Sequence, residues 1–124
     1  MTDGIKQKKG RLAYEQGRAA EAQVAQRYLD GGAVQLASRW RGQSGEIDLI
    51  FRDGPVVVFV EVKSSKHNDW AAHALSPRQQ QRIMATAEEF CAGLQTGSLS
   101  EMRFDVALHG PQGRIDILEA ALGV

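Results

Sequence analysis

The chain has 124 residues, 43% hydrophobic and 24% charged, which suits one folded domain and argues against disorder. Fifteen Lys and Arg balance fifteen Asp and Glu, so the whole molecule is no polycation that would bind nucleic acid indiscriminately. A single cysteine, Cys91, rules out an internal disulfide framework and fits a reducing compartment, and no apolar run nears the ~18 residues of a membrane span.

Positive charge is concentrated at the start. Residues 1–18 hold Lys6, Lys8, Lys9, Arg11 and Arg18 against Asp3 and Glu15, with no apolar stretch behind them to make a secretory signal. The default location is the cytoplasm. Residues 1–10 read as a flexible basic tail, either merely solvated or contacting phosphate, and residues 11–124 as a single domain. A helix is predicted from Arg11 to Asp30, closed by Gly31-Gly32. Ala13, Gly17, Ala20, Val24 and Tyr28 recur at three- or four-residue intervals and form its inward stripe. Glu21 lies beside that stripe, either turned inward or on the flank in water.

Strands are predicted at 33–41, 46–52 and 56–64, the last two joined through Asp53-Gly54-Pro55. The third is nearly continuous Val and Phe, which places it at the sheet centre, buried on both faces. In the first strand Arg39 and Arg41 share the face opposite Trp40, leaving Trp40 for the core and the arginines for phosphate. SSKHNDWAAHAL reads as a loop. Its Trp70 either anchors the loop on the core or stacks on an unpaired base. His67 and His73, with Asp69 between them, match no zinc spacing.

Ser76-Pro77 opens a second helix as N-cap and first position. Ile83, Met84, Ala87, Phe90, Cys91 and Leu94 make its apolar face, with Cys91 as a small buried hydrophobe. MRFDVAL and RIDILEA supply two closing strands around a turn at 109–113, and Asp105 and Asp116 within them default to salt bridges. The order α-β-β-β-α-β-β describes a mixed sheet in one α/β domain, with the helices on one side or on both.

The chemistry concentrates in GEIDLIFRDGPVVVFVEVKSS, Gly45 to Ser65. Alternation puts Glu46, Asp48 and Ile50 on one face of their strand, and Phe59, Glu61 and Lys63 on one face of the next. Whether the acids meet depends on the turn. A two-residue loop at 53–54 sets Asp48 opposite Phe59, and an unbulged three-residue loop separates the acids to opposite faces. A four-residue loop at 53–56 sets Asp48 opposite Glu61, and Pro55, which cannot donate a ladder bond, favours it. Facing acids would sit about 5 Å apart at their β-carbons and need a compensating cation. Lys63 is one. A hard divalent ion is the natural second, since it binds carboxylate and carbonyl oxygens and acidifies water for phosphodiester hydrolysis. The competing reading is that the acids end strands at the sheet edge, with Lys63 paired to Glu61 in water.

Asp on one strand followed by Glu-x-Lys on the next resembles the PD-(D/E)XK, restriction-endonuclease-like superfamily. GEIDLI followed by VFVEVK resembles, more closely, the YraN-like family of bacterial nuclease-like proteins, usually grouped near archaeal Holliday junction resolvases. Gly17–Glu21, Arg39, Arg41, SPRQQQRI and RFDV extend the likeness over most of the chain. The resemblance implies a restriction-endonuclease-like mixed sheet flanked by helices. It implies Asp48 and Glu61 as ligands of Mg²⁺ or Mn²⁺, joined by the Val62 carbonyl and by Glu21, with Lys63 as the catalytic lysine. Arg39, Arg41 and Gln79 become nucleic-acid contacts. Two departures stand out: Ser64-Ser65 follow the EVK where a basic residue is common, and Gln79 replaces a lysine at the second helix start. The implied activity is metal-dependent hydrolysis of structured or branched DNA. The alternative is a non-catalytic nucleic-acid-binding or adaptor protein on the same fold. Nuclease folds that cut two strands often pair, which allows for a homodimer.

Overall fold

The computed structural model describes residues 17–64 and 75–122. Helix α1 covers residues 17–30 and ends at Gly31-Gly32, where Gly31 N–H donates to the Arg27 and Tyr28 carbonyls. Strands β1 (Val34–Arg41), β2 (Glu46–Asp53) and β3 (Val56–Ser64) follow, then helix α2 (Pro77–Ala92), β4 (Glu101–His109) and β5 (Ile115–Leu118). This is the predicted α-β-β-β-α-β-β order. The basic tail, the start of the first helix and the segment carrying His67, Asp69, Trp70 and His73 lie outside the described residues.

The five strands stand side by side in chain order. Every neighbouring pair is antiparallel except β3 and β4, which run parallel from Val56–Glu101 to Ser64–His109. A parallel pair needs a long crossover, and α2 lies in that connection. β3 is central, as its apolar run predicts, with Val58 and Val60 fully buried.

One helix covers each face, which decides between the two arrangements left open by the sequence. Val24, Ala25 and Tyr28 of α1 pack with Leu49, Phe51, Val58 and Val60. Ile83, Ala87 and Cys91 of α2 pack with Ile50, Phe59 and Phe104 on the other side. Aromatic stacking reinforces both layers: Tyr28 lies on Phe51 at 4.6 Å between ring centroids, and Phe59 on Phe104 at 5.4 Å. Trp40 joins the α2 side, edge-on to Phe90, as its place in β1 predicts. The start of α2 is a full capping box, with Ser76 and Gln79 bonded reciprocally and Pro77 at the first turn.

The β2–β3 turn is tighter than the predicted loop. Asp53 pairs with Val56, so only Gly54-Pro55 turn, and Gly54 takes a left-handed φ of 59° that suits glycine. The register is nevertheless the one expected, because a loop trimmed by one residue on each side keeps the same partners. β5 is shorter than RIDILEA suggested; it stops at Leu118, and Ala120 N–H turns back to bond the Asp105 carboxylate. Among the described residues no helix is long and apolar enough to cross a membrane.

Candidate functional site

The β2–β3 ladder runs from Asp53–Val56 to Leu49–Val60, and its continuation brings Asp48 across from Glu61. There the ladder gives way. Asp48 Oδ2 accepts the Val62 N–H at 2.8 Å, so a carboxylate takes a donor on the neighbouring strand. Side-chain alternation also breaks here: Ile47 and Ile50, three residues apart, both enter the α2-side core, while Leu49 enters the α1 side. The same level is irregular in β1. Arg39, which the β1–β2 register would place opposite Asp48, is skipped in the pairing and has a left-handed φ of 48°.

Glu61 is only partly satisfied. The Asp48 backbone N–H favours its charged form, but Oε1 is buried without a hydrogen-bond partner among the described residues. Such an atom is costly in a native interior and calls for an explanation. Burial, reinforced by the Asp48 charge, pushes the Glu61 carboxyl up to about 8, against the opposing pull of Lys63 and Arg82. Burial also raises Asp48; the Val62 N–H and Lys63 oppose the shift, and the Glu21 and Glu46 charges add to it. The two acids therefore disfavour each other's ionisation, and a cation placed between them would reverse that.

The remaining sequence-predicted residues gather unevenly. Lys63 follows Glu61 on the same face of β3, and its charge acts on both acids. Glu21 does approach from α1, yet its Oε2 is bonded by Arg39 Nε at 2.8 Å. The proposed metal ligand and the proposed phosphate contact thus hold each other. Arg41 is exposed at the sheet edge, 3.5 Å from Glu46, and does not share Arg39's surroundings. The Gln79 side chain accepts the Ser76 N–H at 2.8 Å, closing the cap. Among the described residues no three His, Cys, Asp or Glu side chains converge as a ready-made metal cluster. What the site offers a cation is the Asp48–Glu61 pair, with an unpartnered oxygen on Glu61.

Sequence reasoning missed the residues that hold β2 in place. Glu89 of α2 accepts the Gln43 N–H at 2.8 Å, the Ser44 N–H at 3.1 Å and the Ser44 hydroxyl at 2.8 Å. This carboxylate clamps the turn leading into Asp48. Any side chain at Gly42 would collide with it. One and two turns earlier on α2, Thr86 and Arg82 lie against Gly45, where an added β-carbon would come within 3.2 Å of the Thr86 hydroxyl and 2.9 Å of Arg82 Cγ. The signal was present: G-x-x-G at Gly42–Gly45 marks a close approach, but the approaching element could not be named.

Comparison with known proteins supplies the family. A model for the uncharacterised protein family UPF0102 matches residues 20–108. The chain belongs to the UPF0102 family. A UPF0102 protein of Roseobacter denitrificans is 54% identical over 113 residues, covering 91% of this chain and 88% of the relative. One from Cereibacter sphaeroides is 50% identical over 112 residues, covering 90% and 96%, and one from Ruegeria pomeroyi is 50% identical over 107 residues, covering 86% and 87%. The UPF0102 match runs from α1 to near the end of β4 and so includes Glu21, Asp48, Glu61 and Lys63.

Proposed function

We propose that this UPF0102 protein is a metal-dependent nuclease of the PD-(D/E)XK type, hydrolysing phosphodiester bonds in structured or branched DNA. The observation that carries this reading is the orphaned Oε1 of Glu61, buried opposite Asp48 at the level where the ladder opens. A purely structural acid there would be bonded or replaced by an apolar residue. A divalent ion accounts for it. Asp48 and Glu61 would hold Mg²⁺ or Mn²⁺, with the Val62 carbonyl as a third oxygen. When bound, the ion supplies Lewis acidity and a more acidic water.

The chain's own residues then divide the work. The Val62 N–H fixes the Asp48 carboxylate so that it does not have to be ordered on binding. Lys63 balances the paired acids and can donate to a phosphoryl oxygen as its charge grows. Glu21 joins only by exchanging Arg39 for the ion. One observation favours the non-catalytic reading instead: Glu21 already has a cationic partner. On that reading the protein binds DNA through its arginines and cuts nothing.

The test incubates the purified protein with Mg²⁺ or Mn²⁺ and linear, single-stranded, flapped and four-way DNA, beside Asp48→Ala and Lys63→Ala. The nuclease reading expects metal-dependent cutting that falls by roughly 10²-fold or more in either variant. Binding without cutting, or cutting that survives Asp48→Ala, overturns it.

A further inference from the structure

We propose that Arg82 is a substrate-contacting residue: together with Lys63 it binds a backbone phosphate of nucleic acid beside the Asp48–Glu61 pair. This rests on the nucleic-acid part of the function proposed above, and is independent of cleavage.

The argument begins with α2. Arg82, Thr86 and Glu89 are spaced by four and three residues, so they form one ridge along the helix. The whole ridge is pressed on the turn before β2. Glu89 clamps Gln43 and Ser44, and the fully buried Thr86 bonds back to the Arg82 carbonyl at 2.7 Å. The Arg82 stem lies over Gly45, where only a missing β-carbon leaves room for Cγ and Cδ. Gly45 precedes Asp48 by three residues. The stem is therefore anchored near the acid pair, while the residue as a whole is exposed.

How the fork is used distinguishes Arg82 from two arginines that pair with acids. Arg103 spends its guanidinium on Asp105, and Arg39 bonds Glu21. No salt bridge joins Arg82 to another described residue, and its charge reaches Glu61 alongside that of Lys63. Two cations on different elements, β3 and α2, thus act on one acid. An arginine with a packed stem and an open fork has little conformational freedom left to lose, and its planar donors match phosphate oxygens. At the start of the same helix Gln79 is committed to the cap and brings no charge.

The experiment measures binding of a fluorescein-labelled four-way DNA junction, and of a linear duplex, by anisotropy across a salt series in Ca²⁺. Arg82→Met keeps the stem over Gly45 and removes the charge; Arg82→Lys keeps the charge and loses the fork. Thermal melting checks that both variants fold. The proposal expects Arg82→Met to bind roughly three- to tenfold more weakly, with the slope of log K against log salt reduced by about 1. Arg82→Lys should keep the slope and lose part of the affinity. Wild-type affinity and slope in folded Arg82→Met would overturn the inference while leaving the nuclease reading intact. Binding by wild type that is weakened in Arg82→Met, with no cutting of the same DNA in Mg²⁺ or Mn²⁺, would support Arg82 while overturning the nuclease. No salt-dependent binding by wild type would overturn both.

Discussion

Asp105 and Glu61 are carboxylates on the neighbouring parallel strands β4 and β3, one register step apart and facing opposite sides of the sheet. Asp105 is 2% exposed and fully engaged. Arg103 Nε and Nη2 donate to it at 3.0 Å each, the Tyr28 hydroxyl at 2.7 Å and the Ala120 N–H at 3.1 Å. Arg103 and Tyr28 are both held in their protonated forms by that carboxylate, with burial the larger influence on Tyr28. Glu61 has the opposite surroundings: an acid pair, two cations that do not bond it, and an empty-handed Oε1. The first acid ties α1 and the β5 end to the sheet. The second leaves a buried carboxyl oxygen unpaired among the described residues, the feature on which the proposed binding site rests.

The contrast breaks if the two acids respond alike to mutation. Asp105→Ala should be the most damaging change, lowering stability by about 3–5 kcal/mol, because it removes the buried partner of the Tyr28 hydroxyl and leaves Arg103 only the longer contacts to Asp53 and Glu119. Urea unfolding measures it, and a loss under about 1 kcal/mol would mean the network is dispensable. Tyr28→Phe removes one bond to a charged acceptor and keeps the stacking on Phe51, so it should cost about 2 kcal/mol in the same assay.

Glu61→Gln should go the other way. The folded carboxyl is raised from 4.5 to about 8, so the folded state binds more protons than the unfolded state between those values. Stability of the metal-free protein should then fall as pH rises across that window. Glu61→Gln should flatten most of the slope, leaving the part due to Asp48, and be more stable than wild type at pH 8 by about 1 kcal/mol, or roughly 3 °C in Tm. Mg²⁺ should raise the wild-type Tm and leave the variant unmoved, by linkage to an ion that binds only the folded acid pair. A flat wild-type profile without metal would remove the distinction between the two acids.

Much of this molecule was legible before any coordinates. Gly31-Gly32, Ser76-Pro77 and the apolar stripe of α2 mark boundaries because capping and helical periodicity are local. The facing of Asp48 and Glu61 was legible too, since parity along a hairpin depends on the turn alone, even though the turn proved shorter. Asp105 and Asp116 did pair with arginines, Arg103 and Arg114 respectively. By contrast, nothing in Arg39 announced a left-handed backbone inside a strand, and Glu21 left its orientation open.

The sequence by itself determined the elements, their order and the level at which two carboxylates oppose each other, because those follow from side-chain period and chain-local turns. Only the tertiary structure decided that one helix covers each face, that Glu89 reaches back 45 and 46 residues to clamp the turn before β2, and that Tyr28 meets Asp105 across 77. It alone joined Glu21 to Arg39 and brought the Arg82 charge within reach of Glu61. Such partners are chosen by how the layers pack, where burial removes water and makes each unpaired donor or charge costly, and no local pattern encodes that choice.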